Sequence, residues 1–344
     1  MAFKDTYPFL AMGGKIDPLS EVYGAGLITS GSVFYVKNST DSDYTTFKDR
    51  VGADVVFNDI QSAINKCKSD RNDYVFVCPK EDGSVWALGT ALDVNKDRVH
   101  LISMGYTKAR GGYSNVLQGY VSATGVDTSI VDVTGAGCEI AGFHIKGTCG
   151  TAALGTISGG LLRLGTASTG TAHSTWVHDC KIESTSAISQ SEDIVTISST
   201  VAAGVDGNRF DDCWIGNAGA DPISAAKVNG GTSGPINTEF HNCQFVVNSG
   251  STTDAIVTMG TGATKWTLFN QCDFVNLDQT NKPASALTGA VKADNMVLLR
   301  YCTGVNVTDF GTDTEVMVAP AESGTIQKAY NPGLAIGSAL VVAA

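Results

Sequence analysis

The chain is poor in charge, and poorest in positive charge. Lys and Arg number 23 against 34 Asp and Glu, and the 344 residues carry a formal net charge of −11. A surface that binds DNA or RNA through phosphates needs a basic excess, so this balance argues against nucleic acid as a partner. Long apolar runs are also missing. The C-terminal LAIGSALVVAA falls well short of the ~20 residues of a membrane-spanning helix, and no membrane partner is expected. The N-terminal MAFKDTYPFLAMGG lacks a long apolar core behind a basic start, so no export signal is expected either. There is no glycine-rich phosphate loop, nucleophile elbow or paired CxxC motif, and no cofactor or metal is expected.

What the chain does have is glycine, 39 residues of it, and short apolar runs separated by Ser, Thr, Asn and Gly. One phrase is written five times: WVHDCKI at 176–182, RFDDCWI at 209–215, EFHNCQF at 239–245, LFNQCDF at 268–274 and LLRYCTG at 298–304. Its cysteines, Cys180, Cys213, Cys243, Cys272 and Cys302, step by 33, 30, 29 and 30 residues. A period near thirty marks a repeat architecture in which each unit buries its apolar face on its neighbours. Position −3 from the cysteine is apolar throughout (Val177, Phe210, Phe240, Phe269, Leu299). Position +2 is Ile182, Ile215, Phe245, Phe274 and then Gly304, where the pattern fades.

From the cysteine onward the apolar residues keep the two-residue period of a strand. From −3 to the cysteine they lie three apart, so the chain must turn a corner at −2 and −1. Asp179, Asp212 and Asn242 at −1 suit it, because Asp and Asn tolerate the left-handed conformation. A second column of apolar segments precedes the phrases: LLRLG at 161–165, DIVTIS at 193–198, PISAAKV at 222–228, DAIVTMG at 254–260 and LTGAVKA at 287–293. Two strand columns advancing together imply rungs of a coil, about eight of them over 73–305 at ~4.8 Å each, or roughly 40 Å. The five cysteines then form an inward ladder of free thiols that pack as small hydrophobes. With nine cysteines and no export signal, a reducing host cytoplasm is the expected place of synthesis.

Ahead of the phrases, SVFYVKNSTDSDY (32–44) reads as a strand and polar turn. VVFNDIQSAINKCKS reads as one amphipathic helix over about 57–69, with Asn58 or Asp59 as N-cap, and DYVFVCP (73–79) as a strand. This order, followed by DRVHLISMGY (97–106) and SIVDVTGAGCEIAGFHIKG (129–147), resembles the opening of right-handed parallel β-helix proteins of the pectate-lyase-like superfold, where a short helix caps the coil. The capping helix, the DYVFV-P strand and the missing export signal together resemble virion structural proteins of tailed bacteriophages. The fold expected is all-β, a single-stranded right-handed parallel β-helix. An N-terminal arm covers 1–32, the coil 33–305, and a C-terminal cap and tail 306–344.

Chemistry has few candidates. Asp179 and Asp212 would sit on adjacent rungs with Asp211 nearby, and paired carboxylates at ~5 Å or ~6.5–9.5 Å are what glycoside hydrolysis needs. Corner preference already explains Asp179 and Asp212, so no catalytic residue is assigned. His178 and His241 in the −2 column would stand ~9.6 Å apart, too far to share a zinc that binds its ligands at about 2.0–2.1 Å. That column is read as a solvated polar edge. Trp176, Trp214 and Trp266 could stack on sugars but are read as packing residues. The resemblance implies a non-enzymatic capsid decoration, cement or head-fibre subunit on the virion exterior. It would be a homotrimer whose terminal arms reach the major capsid protein or other virion proteins, with host glycans as a further partner. The competing expectation is a tailspike-like polysaccharide-binding or depolymerising protein. A bacterial polysaccharide lyase or hydrolase fits less well, since it would need export.

Overall fold

A computed structural model of the chain describes residues 31–107, 112–113, 115–121, 129–149, 160–165, 172–184, 192–197, 205–216, 226–229, 237–248, 255–258, 266–278, 285–288, 296–307, 310 and 316–319. Nearly all of the expected N-terminal arm and the tail after 319 lie outside these residues. The described chain winds as a right-handed parallel β-helix with three long parallel sheets. Sheet A stacks 11 strands, sheet B eight and sheet C seven. The repeated phrase supplies the strands of A before the corner and of B after it, such as Trp176–His178 and Lys181–Ser184. The second apolar column supplies C, from Leu92–Val94 through Leu162–Leu164 to Ser285–Thr288. The last of these strands falls earlier than the 287–293 expected, because Leu287 aligns with the inward Val257 of the preceding strand.

The corner is left-handed at every phrase. Asp179, Asp212, Asn242, Gln271 and Tyr301 have φ of 53°, 52°, 52°, 57° and 55°, and Gly142 opens the column at 76°. Each corner N–H donates to the carbonyl of the residue just before the next corner: Asp179 N to Asp211 O at 3.0 Å, Asp212 N to His241 O at 3.0 Å and Asn242 N to Asn270 O at 2.9 Å. A second left-handed column leads each strand into sheet A, through Arg98, Gly137, Ser174, Gly207 and Asn237. Its residue types share little, which hid it in the sequence.

Inside the coil the −3 and +2 columns are buried and their rings stack. Phe210 lies 4.8 Å from Phe240, Phe240 lies 4.9 Å from Phe269, and Phe245 lies 5.1 Å from Phe274. Such pairs add ~0.5–1.5 kcal/mol each beyond their burial. The fade at Gly304 has a cause: a Cβ there would meet Val307 at 2.9 Å and the Phe310 ring at 3.2 Å. Phe310 folds back under Phe274, edge to face at 5.9 Å, and fills the space that a larger side chain would have taken. Beyond it Val316–Ala319 adds one more strand to sheet A.

The cysteine column is buried and free of disulfides among the described residues. Each thiol serves the backbone of the strand before it: Cys213 Sγ reaches Val177 O at 3.6 Å, Cys243 reaches Phe210 O at 3.6 Å and Cys272 reaches Phe240 O at 3.3 Å. Burial pushes the Cys180 and Cys243 thiols well up, so they remain protonated donors.

Among the described residues two α-helices stand at the N-terminal end of the coil where one was expected. Helix α1 (Tyr44–Val51) lies in a stretch left without an element, although Tyr44, Phe47 and Val51 keep helical spacing. Helix α2 (Ile60–Lys66) is the expected cap, shorter than 57–69 because Phe57 belongs to a strand and Cys67 is already extended. Asp59 is its N-cap and accepts from Ser62 N at 2.7 Å. The cap is pinned by Asp73, whose buried carboxylate accepts from Ser32 N, Lys68 N and both Nε and Nη2 of Arg71 at 2.6–2.8 Å. Burial alone would raise the Asp73 carboxyl; these four donors more than reverse that and hold it low.

Candidate functional site

The outward face of sheet A carries the polar side chains that the phrase holds at −4 and −2. Ladder pairing sets them in two columns. One runs His100, Glu139, Trp176, Arg209, Glu239 and ends in the apolar Leu268 and Leu298; the other runs Ala141, His178, Asp211, His241, Asn270, Arg300. The second column is not a freely solvated edge, since the side chains of His178 and Asp211 are only 16% and 14% exposed.

Glu139 is the hub. Its Oε2 accepts from His100 Nδ1 at 2.6 Å, and its Oε1 from His178 Nε2 at 2.9 Å. His178 Nδ1 meets Asp179 Oδ2 at 2.9 Å. Both ring nitrogens of His178 therefore face carboxylates, and both can donate only in the imidazolium form. Burial alone would lower His178, but the two carboxylates raise it above its ordinary value. Burial alone would raise Glu139, and the two histidines bring it down to about 2. Glu139 carries no signal in the sequence because it precedes the first full phrase; aligning EIAGFHI with WVHDCKI places it in the Trp176 column.

The three candidate aspartates do not converge. Asp179 turns to His178, and Asp212 accepts from Asn242 Nδ2 on the next strand. Asp211 points outward instead: its Oδ2 accepts from Trp176 Nε1 at 2.6 Å and from Arg209 Nε at 2.7 Å. His241 meets Glu239 Oε2 at 2.7 Å and Asn270, so the two histidines of the −2 column answer to separate partners. Among the described residues no group of three ligand-type side chains could hold a metal ion. Trp214 lies under Lys181, whose Nζ is 4.9 Å from the ring centroid. Trp176 is not a packing residue, being 42% exposed.

Sheet C adds a pair that the sequence reading missed. Asp132 and Arg163 are ladder partners facing outward between the buried Val131, Val133, Leu162 and Leu164, and Arg163 Nη2 donates to Asp132 Oδ2 at 2.6 Å. Asp132 Oδ1 and Arg163 Nε are buried without a partner among the described residues. Asp93 aligns with Asp132 on the preceding strand, so two carboxylates and a guanidinium follow one another along the face. The alternation in SIVDV and LLRLG was the available signal.

No protein-family description and no curated protein matches the chain. Among solved structures it is similar to a pectin methylesterase from Aspergillus niger, with 10% identity and a TM-score of 0.48 over 87% of this chain and 83% of that one. It is also similar to the pectin methylesterase PemA from Erwinia chrysanthemi, with 12% identity and a TM-score of 0.44 over 91% and 92%. A third, the pectate lyase Pel9A, gives 9% identity and 0.41 over 90% and 82%. None of these likenesses bears on what the chain does.

Proposed function

We propose that the chain is a non-enzymatic structural protein of a bacteriophage particle, a capsid decoration, cement or head-fibre subunit on the exterior that acts as a homotrimer. One observation supports this best: the carboxylates that the repeat brings closest are committed to the fold. Asp179 and Asp212 hold left-handed corners, and Asp211 neutralises Arg209. A glycosidase needs an acid and a base facing one sugar, at ~5 Å or ~6.5–9.5 Å, and these three face different partners. Antibody labelling of intact, purified particles tests the reading. Label on the capsid surface is expected, and particles that carry no copy of the protein would refute it.

A second reading, a glycan-binding or depolymerising protein, is favoured by the sheet C pair. A sugar hydroxyl can donate to Asp132 Oδ1 and accept from Arg163 Nε at once, satisfying two buried atoms that now lack partners. Incubation with capsular polysaccharides separates the two readings. Release of reducing ends by the native chain that disappears in Asp132→Asn would establish the enzyme, and no release is the outcome expected here.

A further inference from the structure

Trp176 stands mid-sheet with the charged Glu139 and Arg209 as its ladder neighbours, yet it is a large apolar side chain left 42% exposed. The core does not need it, because its neighbour Val177 fills the inward position. Nor is it loose. Its Nε1 is tied to Asp211, the same oxygen holds Arg209, and one face of the indole lies on the His178 ring with centroids 4.0 Å apart and planes 29° from parallel. His178 is itself fixed between Glu139 and Asp179. The indole is thus gripped by its N–H edge and one face, which leaves the opposite face as the accessible one.

We infer that Trp176 is a stacking platform for one sugar ring of a neutral glycan. The C–H face of a pyranose is apolar and weakly positive, complementary to the negative face of an indole. Arg209, with 52% of its side chain exposed, and Glu239, with 30%, stand in line along the same column to exchange hydrogen bonds with the ring hydroxyls. The frame selects against an anionic sugar, because Glu139, Asp179, Asp211 and Glu239 outnumber Arg209 and the His178 imidazolium around it. It also selects against a protein partner, whose hot-spot tryptophans sit in desolvated apolar surroundings; here the ladder neighbours are charged. The inference rests on the glycan-binding reading and adds a place to it, on sheet A and apart from the Asp132–Arg163 pair.

Calorimetry and tryptophan fluorescence on the full chain test it with maltohexaose, cellohexaose and hexagalacturonic acid at millimolar concentration. Native protein should bind at least one neutral hexasaccharide. Trp176→Ala should weaken that binding by about ten-fold or more, the scale of one lost stacking contact. Trp176→Phe should weaken it less, Arg209→Ala should weaken it too, and Asp54→Asn, exposed at the N-terminal end of the coil, should leave it unchanged. Binding that Asp132→Asn abolishes and Trp176→Phe and Trp176→Ala leave intact overturns the site while the glycan reading survives. Binding of hexagalacturonic acid alone overturns the neutral class. No binding of any of the three overturns both the site and the glycan reading. Loss of an oligomer in Trp176→Ala, seen by light scattering, assigns the indole to an interface between copies and overturns the inference.

Discussion

At the N-terminal end of sheet A the outward positions are Tyr35, Tyr74, Phe76 and Ile102, and helix α1 lies over them through Phe47. From Glu139 to His241 the same outward positions hold Glu139, His178, Arg209, Asp211, Glu239 and His241, joined in ion pairs, with Trp176 among them hydrogen-bonded to Asp211. The inward residues of the two regions are alike, aliphatic or aromatic and buried in one continuous core. Winding the coil thus constrains only the inward side. The outward side is free to be apolar where the chain can cover it, as α1 does, and must otherwise satisfy its polar groups within the sheet. Burial among Phe47, Phe76 and the rest of that cluster raises Tyr35 to about 12. The polar region reaches half-burial instead by locking charges together.

Removing the cover should have the largest effect. Phe47 is buried, meets Tyr35 edge to face at 5.5 Å, and has Lys37 Nζ 5.8 Å from its ring. Phe47→Ala should cost about 3–5 kcal/mol in urea unfolding, the usual range for a buried aromatic. Amide exchange should rise first at Tyr35 and Phe76 and leave the strands around Phe240 protected, since rungs of a coil contact only their neighbours. Uniform loss of protection would show that the two regions do not differ in this way.

Breaking the polar region should cost less and should depend on pH. Glu139→Gln removes the charge that two histidines share, about 1.5–3 kcal/mol for hydrogen bonds to an ionised group. Glu139 sits at about 2 in the fold against ~4.3 when unfolded. Its contribution is therefore present above about pH 4.3 and is lost as the pH falls toward 2. His178 is raised by its carboxylates. Its contribution is full below ~6.5 and is lost as the pH rises through the raised value. The native chain should accordingly lose stability on both flanks of a window from about pH 4.3 to 6.5, and Glu139→Gln should flatten both flanks. Parallel melting-temperature profiles for the two proteins would sink the ladder account.

The same contrast explains what the sequence allowed. The inward columns were legible because Val177, Phe210, Phe240, Phe269 and Leu299 repeat at one offset, and the corner because Asp and Asn recur beside them. The Phe310 plug was not, since Gly304 marks only a gap and the ring that fills it comes from outside the phrase. The outward contacts were least legible of all. His100 and Glu139 lie 39 residues apart, as do Glu139 and His178, whereas Asp132 and Arg163 lie 31 apart. Loop lengths vary from turn to turn, so such partners emerge only once the strands are set in register. Helix α1 keeps helical spacing at Tyr44, Phe47 and Val51, but the polar stretch NSTDSDY that leads into it masks that signal.

The smallest effect is expected at Asp212, and its smallness is informative. Asp212 is at φ 52° and accepts a hydrogen bond from Asn242, the residue that holds the same corner at φ 52° on the next strand. Asn at 212 keeps both the left-handed preference and an acceptor oxygen, so Asp212→Asn should shift the urea midpoint by under about 0.5 kcal/mol. Asp212→Val keeps neither and forces a β-branched residue to positive φ, a strain of about 1–3 kcal/mol. The charge at this position would then be incidental and the backbone conformation essential, as a corner requires and a catalytic carboxylate does not. An Asn variant as unstable as the Val variant would mean that the carboxylate itself is needed, and would return Asp212 to the list of candidate functional groups.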